Sequence, residues 1–196
     1  MATGNITGII LAGGQARRMG GQDKGLIELA HKPMIEYVLN SIEPQVDDII
    51  INANRNQAVY GRYGFAVVAD QIGGYCGPLA GMASGLQAAK TPFVVTVPCD
   101  SPLIPDDLVQ KLYSTLQDED AEICTALSNG RLQPVFTVMK TEVLSSMLDF
   151  LNNGERKIDK WFEQHRLAIA DFSEQPDTFI NINSAEELAE IELKLI

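Results

Sequence analysis

Between Leu11 and Lys24 the chain reads LAGGQARRMGGQDK, a stretch that sets paired glycines among cations. Gly13 and Gly14 bring no side chain, so an anion can approach the backbone closely and the turn can take positive φ. Successive N–H groups in such a turn form an anion-binding concavity. Arg18 offers a planar fork of donors to phosphate oxygens, and Lys24 a compact charge. Gly20 and Gly21 add a second bend that lets the loop fold over its ligand. These residue types point to the phosphates of a nucleoside triphosphate. The stretch is not a Walker loop, since no GK[ST] follows the glycines, nor is it the dinucleotide fingerprint GxGxxG. Glycine pairs alone would also suit a solvated loop with a tight turn.

Three further positions bear on the same chemistry. Asp100 follows an apolar run and precedes Ser101-Pro102. A carboxylate there suits Mg²⁺, which takes one or two carboxylates and completes its shell with substrate phosphates. It also suits a turn aspartate. Asp70 raises the same pair of readings. Asn52 could read a base or a ribose hydroxyl, or satisfy strand-end backbone groups. The segment Gly77-Pro78-Leu79-Ala80-Gly81 opens a helix with small residues, either for an anion at the helix N-terminus or for tight packing.

No Ser-His-Asp arrangement suggests itself, and no cysteine has a catalytic partner in view. His31 and His165 stand in polar contexts and read as surface residues without a role. Trp161 follows helical spacing and reads as core. For nucleotidyl transfer the lack of a base is no objection. An acceptor that is itself a phosphate arrives ionised, so the protein mainly positions two anions and neutralises charge. Arg18, Lys24 and an Asp100-bound Mg²⁺ would carry such a transfer, by in-line attack on the α-phosphorus with loss of pyrophosphate.

The elements that must position these residues alternate. Ile6–Leu11, Asp48–Asn52, Phe65–Ala69 and Phe93–Val97 read as strands. Pro33–Ile42, Leu79–Ala89 and Pro105–Leu116 read as helices between or after them. Apolar strands without alternation imply a sheet covered on both faces, and strand–helix alternation implies a mostly parallel one. Beyond residue 120 the order loosens. Glu122–Leu127, Val135–Met139 and Leu167–Phe172 read as strands, with a turn at Asn129-Gly130. Val143–Asn152 and Lys157–His165 read as helices. Ser184 caps a last helix, with Glu187 as its capping-box partner. The reading is a single α/β domain over residues 1–196, Rossmann-like, with helices on both faces. In such sheets ligands lie outside the carboxyl ends of the strands, at a topological switch point. Leu11–Gly14, Asn52, Asp70 and Asp100 all follow or end predicted strands.

Composition sets the outer bounds. With 196 residues, 45% hydrophobic and 21% charged, the chain can bury a full core. A net charge of −11 argues against a nucleic-acid partner, because DNA affinity rests on neutralising phosphates. Cys76, Cys99 and Cys124 form no CxxC and read as free thiols of a reducing compartment. No secretory leader or membrane-length apolar run is evident. A cytoplasmic monomer is expected.

Taken together, LAGGQARRMGGQDK, NANR at Asn52–Arg55, GPLAG at Gly77–Gly81, PCDSPLIP at Pro98–Pro105, GERKIDKWF at Gly154–Phe162 and FININSAEEL at Phe179–Leu188 resemble the molybdenum cofactor guanylyltransferase family over nearly the whole chain. The resemblance implies a nucleotide-diphospho-sugar transferase-like fold and transfer of GMP from GTP to Mo-molybdopterin, with Mg²⁺. It implies GTP contacts at Leu11, Ala12, Gly13, Lys24, Asn52, Asp70 and Asp100, with the metal on Asp100; Gly14 belongs to the same turn. It implies a nucleotide-binding half, 1–105, and an acceptor half, 106–196, with Gln133, Pro134, Arg156, Lys157, Asn181 and Asn183 as pterin candidates. Transient docking to molybdopterin-handling proteins and molybdoenzymes is compatible with it. Guanine rather than cytosine follows only from the family's LAGG in place of LAAG. Ser101 stands where many relatives carry threonine. A cytidylyltransferase of the same fold, or a non-catalytic GTP-binding module, is the competing expectation.

Overall fold

The computed structural model describes residues 5–14, 22–72, 77–175 and 177–195. Its centre is a seven-stranded sheet. β1 (Ile6–Leu11), β4 (Asp48–Asn52), β5 (Ala66–Val68) and β6 (Phe93–Pro98) run parallel, in the order β5-β4-β1-β6. The sheet continues through β8 (Arg131–Lys140), β7 (Ile123–Ser128) and β9 (Leu167–Asp171). β8 is antiparallel to both its neighbours, and β7 and β9 pair in parallel. The expected mostly parallel sheet is therefore present, with one reversed strand. That reversal follows from the Asn129-Gly130 turn, where both residues have positive φ and join β7 directly to β8.

The strand pleat explains the two covered faces. Ile6 and Ile10 of β1 point to one face, and Ile9 to the other. The first face is closed by α1 (Met34–Ile42) and α4 (Leu108–Asp118), through Ile35, Val38, Leu39, Leu108 and Leu112. The second is closed by α3 (Pro78–Ala88), α5 (Leu144–Asn152) and α6 (Ile158–Phe162), through Leu79, Met82, Leu86, Met147, Phe150 and Trp161. Trp161 is a core residue as expected, fully buried, with its indole N–H donating to Ser146 Oγ at 3.2 Å.

Two small strands, β2 (Glu28–Leu29) and β3 (Lys32–Pro33), form a hairpin that the sequence reading does not contain. α2 (Gln57–Tyr60) is likewise additional. The final helix, α7 (Ala185–Leu195), packs Ile191 with Ile182 against Leu29 of the hairpin and Met34. Its capping box is formed as expected. Glu187 N–H donates to Ser184 Oγ at 3.2 Å, and Glu187 Oε2 accepts from Ser184 N–H at 3.1 Å and from Asn183 N–H at 2.6 Å. Among the described residues, no helix is long and apolar enough to cross a membrane.

Candidate active site

The parallel strands end in register. Leu11 lies opposite Asn52 on one side and Pro98 on the other, and Asn52 lies opposite Val68. The ladder runs one residue further: Ala12 N–H donates to Asn52 O at 2.8 Å, and Cys99 N–H to Leu11 O at 3.1 Å. β1 has β4 on one side and β6 on the other, so the chain leaves β1 towards one edge and later returns to its opposite flank. This is the switch point at which a ligand crevice opens beyond the strand ends. Leu11–Gly14, Asn52, Asp70 and Asp100 share that rim.

One side of the rim is rigid. Asn52 is buried, and its amide donates to Asp70 Oδ1 at 2.9 Å and to Val68 O at 3.3 Å. Asn54 answers from the other side, donating to Asp70 Oδ2 at 2.8 Å and accepting from Asp70 N–H at 2.8 Å. This lattice leaves no space for side chains opposite it. A Cβ at Gly13 would lie 2.9 Å from Asn54 Nδ2 and 3.2 Å from Asn52 Oδ1; one at Gly81 would lie 2.4 Å from Asn52 Oδ1. For Gly81, tight packing is what the structure shows. Gly14 differs: it is exposed, and among the described residues a Cβ there would meet nothing within 4 Å.

The other side holds the charge. Lys24 opens a short 3-10 turn, Lys24–Leu26, and its ammonium donates to Asp100 Oδ2 at 2.7 Å and Asn183 Oδ1 at 2.6 Å. These contacts join positions 76 and 159 residues apart. The segment before α7 is laid along the β6 exit by Ile182 N–H donating to Asp100 O at 2.9 Å, and by Ser101 Oγ bonding Asn181 Oδ1. Asn181 and Asn183 thus stand beside Lys24 and Asp100, so the site draws on both halves of the chain.

The donor set bears on the metal. Among the described residues, no group of three or more His, Cys, Asp or Glu could cage an ion. Asp100 has Oδ2 on Lys24 and no hydrogen bond on Oδ1 among those residues. One part-exposed carboxylate fits an ion that takes its remaining ligands from substrate phosphates.

Behind Lys24 lies a network that the sequence reading overlooks. Asp23 is buried and accepts from Tyr60 OH at 2.5 Å and Asn56 Nδ2 at 3.0 Å, with Arg55 Nε 3.8 Å away. Burial, then the neighbouring Cys99 and Asp23, push the Tyr60 hydroxyl well above its usual range. The hydroxyl therefore stays protonated as the donor to Asp23. The polar run Asn54-Arg55-Asn56, directly after a buried strand, was the available signal.

Arg18 lies outside the described residues. Gln133 and Pro134 lie on β8, next to the irregularity between Thr125 and Ala126 of β7. Arg156 donates to Leu151 O at 2.7 Å at the end of α5, and Lys157 precedes α6. A groove beside α5 and α6 is lined by Asp149, Glu155 and Glu163 against one cation, Lys160, and this balance disfavours a polyphosphate. His31 is exposed as expected, but His165 is not a surface residue. Its ring is 8% exposed, bonds Ser146 Oγ at 2.9 Å and packs on Trp161. The difference arises because α6 ends at Phe162, and the following turn folds the ring back onto the helix. Cys99 and Cys124 are buried free thiols; burial pushes the first well up and the second to about 12, so neither is poised as a nucleophile. Cys76 lies outside the described residues.

A family described as "MobA-like NTP transferase domain" matches residues 8–169. The chain is 49% identical to a molybdenum cofactor guanylyltransferase of Shewanella sediminis, over 93% of each chain. It is 50% identical to one from Shewanella piezotolerans, over 93% of this chain and 89% of that one. The fold is similar to molybdopterin-guanine dinucleotide biosynthesis protein A from Archaeoglobus fulgidus, with a TM-score of 0.82, 21% identity, and 96% and 98% of the two chains covered. It is also similar to 4-diphosphocytidyl-2C-methyl-D-erythritol synthase from Anaerococcus prevotii, with a TM-score of 0.78, 14% identity, and 98% and 96% covered.

Proposed function

This chain belongs to the MobA-like NTP transferase family, and from that premise we propose that it transfers GMP from GTP to Mo-molybdopterin, forming the guanine dinucleotide cofactor and pyrophosphate. The observation that carries the site assignment is the Lys24–Asp100 contact of 2.7 Å at the aligned exits of β1 and β6. In this reading the backbone at Leu11–Gly14 lies along the triphosphate, and the open side of Gly14 allows close approach. Arg18, Asn52 and Asp70 complete the nucleotide side, the last two as the rigid wall that fixes the turn. Asn181 and Asn183 face the incoming acceptor from the second half; Gln133, Pro134, Arg156 and Lys157 are further acceptor-side candidates.

The reaction asks little covalent chemistry of the protein. An acceptor phosphate oxygen forms a bond to the α-phosphorus, the bond to the bridging oxygen breaks, and pyrophosphate leaves with the electron pair. The acceptor is already ionised, so no side chain needs to take a proton. Lys24 neutralises charge on the phosphates, exchanging its bonds to Asp100 and Asn183 for phosphate oxygens. Asp100, freed on one oxygen, would hold a divalent ion, Mg²⁺ in this proposal, which supplies further neutralisation of the leaving group.

The nucleotide is tested by incubating purified protein with Mo-molybdopterin, Mg²⁺ and each NTP in turn. Pyrophosphate is expected with GTP and not with CTP. Release with CTP alone would make the chain a cytidylyltransferase; release with neither would make it a binding module.

A further inference from the structure

Arg55 sits where the glycine-rich turn begins and ends. Its Nη2 donates to Gly14 O at 3.3 Å and to Gln22 O at 3.1 Å, so one nitrogen joins the two carbonyls that flank residues 15–21. Its Nε lies 3.8 Å from Asp23 Oδ2, and the Asp23 side chain is only 4% exposed. Asp23 is held in turn by Asn56 and Tyr60 from the β4–α2 segment. The backbone of Asp23 is also committed: its carbonyl accepts Leu26 N–H at 3.0 Å and starts the turn that carries Lys24. There is no slack behind that turn. A Cβ at Gly25 would lie 2.7 Å from Tyr60 OH and 3.3 Å from Cys99 Cβ.

We infer that Arg55 and Asp23 form a positioning pair that sets the distance between the Gly14 backbone and the Lys24 ammonium. Both act through other groups, Arg55 through the Gly14 and Gln22 carbonyls and Asp23 through its chain neighbour Lys24. Asp23 points inward and Lys24, its chain neighbour, points into the site, so anchoring the first fixes the second. A buried carboxylate beside a site for a polyanion would otherwise repel the ligand. Arg55 compensates that charge while spanning the turn, and its planar fork suits both tasks where a lysine's point charge does not.

The inference rests on the guanylyl-transfer reading, and its test separates the two. GTP affinity by calorimetry, steady-state constants for GTP and for molybdopterin, and thermal midpoints are measured for wild type, Arg55→Gln, Arg55→Lys and the exposed control Arg62→Gln. Arg55→Gln is expected to raise both Kd and KM for GTP by about tenfold, the scale of one charge-assisted bond. The acceptor KM should stay within twofold and the thermal midpoint near wild type. Arg55→Lys should recover little of the loss, and Arg62→Gln should match wild type. A GTP Kd within twofold of wild type for Arg55→Gln overturns the proposal. So does full rescue by Arg55→Lys, which would make Arg55 a simple charge on the phosphates. Equal losses towards both substrates with a lowered midpoint would reduce the pair to general structure and also overturn it. Wild-type protein that binds no nucleoside triphosphate overturns both this inference and the reading beneath it.

Discussion

Replacing Asp100 with asparagine lowers kcat for guanylyl transfer by about 10³-fold and leaves the protein folded. The substitution keeps the side chain's shape and an oxygen that Lys24 can reach, 2.7 Å away in the native pair. Lys24 also retains Asn183 at 2.6 Å, so no cation is stranded. What is lost is the negative charge with which Asp100 would hold a hard divalent ion in the proposed site. A factor of 10³ corresponds to about 4 kcal/mol in the barrier, the upper range for removing a single group that stabilises developing charge. The measurement is pyrophosphate release at saturating GTP and Mg²⁺, with thermal melts as the folding control. A kcat within tenfold of wild type would take Asp100 out of the ion's coordination.

The second large effect comes from a residue without a side chain. Gly81→Ala places a methyl group 2.4 Å from Asn52 Oδ1 and 3.0 Å from Leu11 Cδ2. Asn52 has nowhere to go, because its amide is tied to Asp70 and Val68 across the ends of β4 and β5. Overpacking of this kind costs about 1–3 kcal/mol in stability. With Asn52 held in place, the strain passes to the backbone that faces it, including Gly13, whose Cβ position lies 3.2 Å from Asn52 Oδ1. A shift on the order of 1 Å at the turn should lower kcat/KM about 10²-fold. Gly85→Ala separates the two consequences. Its Cβ would meet Ile9 at 2.6 Å, one turn further along α3 and inside the core. It should lose comparable stability while sparing turnover. Equal activity losses in the two variants would show that Gly81 matters only for packing.

Parts of the molecule are legible in its residues and others are not. Ile6–Leu11 is a largely apolar run that a glycine turn ends, Asp48–Asn52 is one framed by its own Asp and Asn, and both strands have the bounds that the pattern implies. The capping box at Ser184 and the turn at Asn129-Gly130 are local chemistry, and both are present. The hairpin of β2 and β3 escaped because each strand is two residues long, too short for periodicity to register. α4 starts at Leu108 rather than Pro105 because Pro105 O first closes a turn with Leu108 N–H.

For the site, the strand-end rule brought Leu11–Gly14, Asn52, Asp70 and Asp100 to one rim without reference to any relative. Lys24 and Asp100 were each singled out, but their contact across the chain leaves no trace in either local sequence. Asn183 was named only through the resemblance, and on the acceptor side; the structure places it on Lys24. Asp23 was missed for a physical reason. An aspartate next to a lysine in a polar stretch looks solvated, and only the fold shows that one of the two neighbours points inward.

In the proposed reaction the nucleotide's α-phosphate passes to the pterin at this rim. It is tested most directly with GTP labelled at the α-phosphate, Mo-molybdopterin and Mg²⁺. Label is expected in the pterin product, in equal amount to the pyrophosphate released, and about 10³-fold more slowly with Asp100→Asn. Label recovered as free GMP, or left in GTP while the acceptor is present, would contradict it.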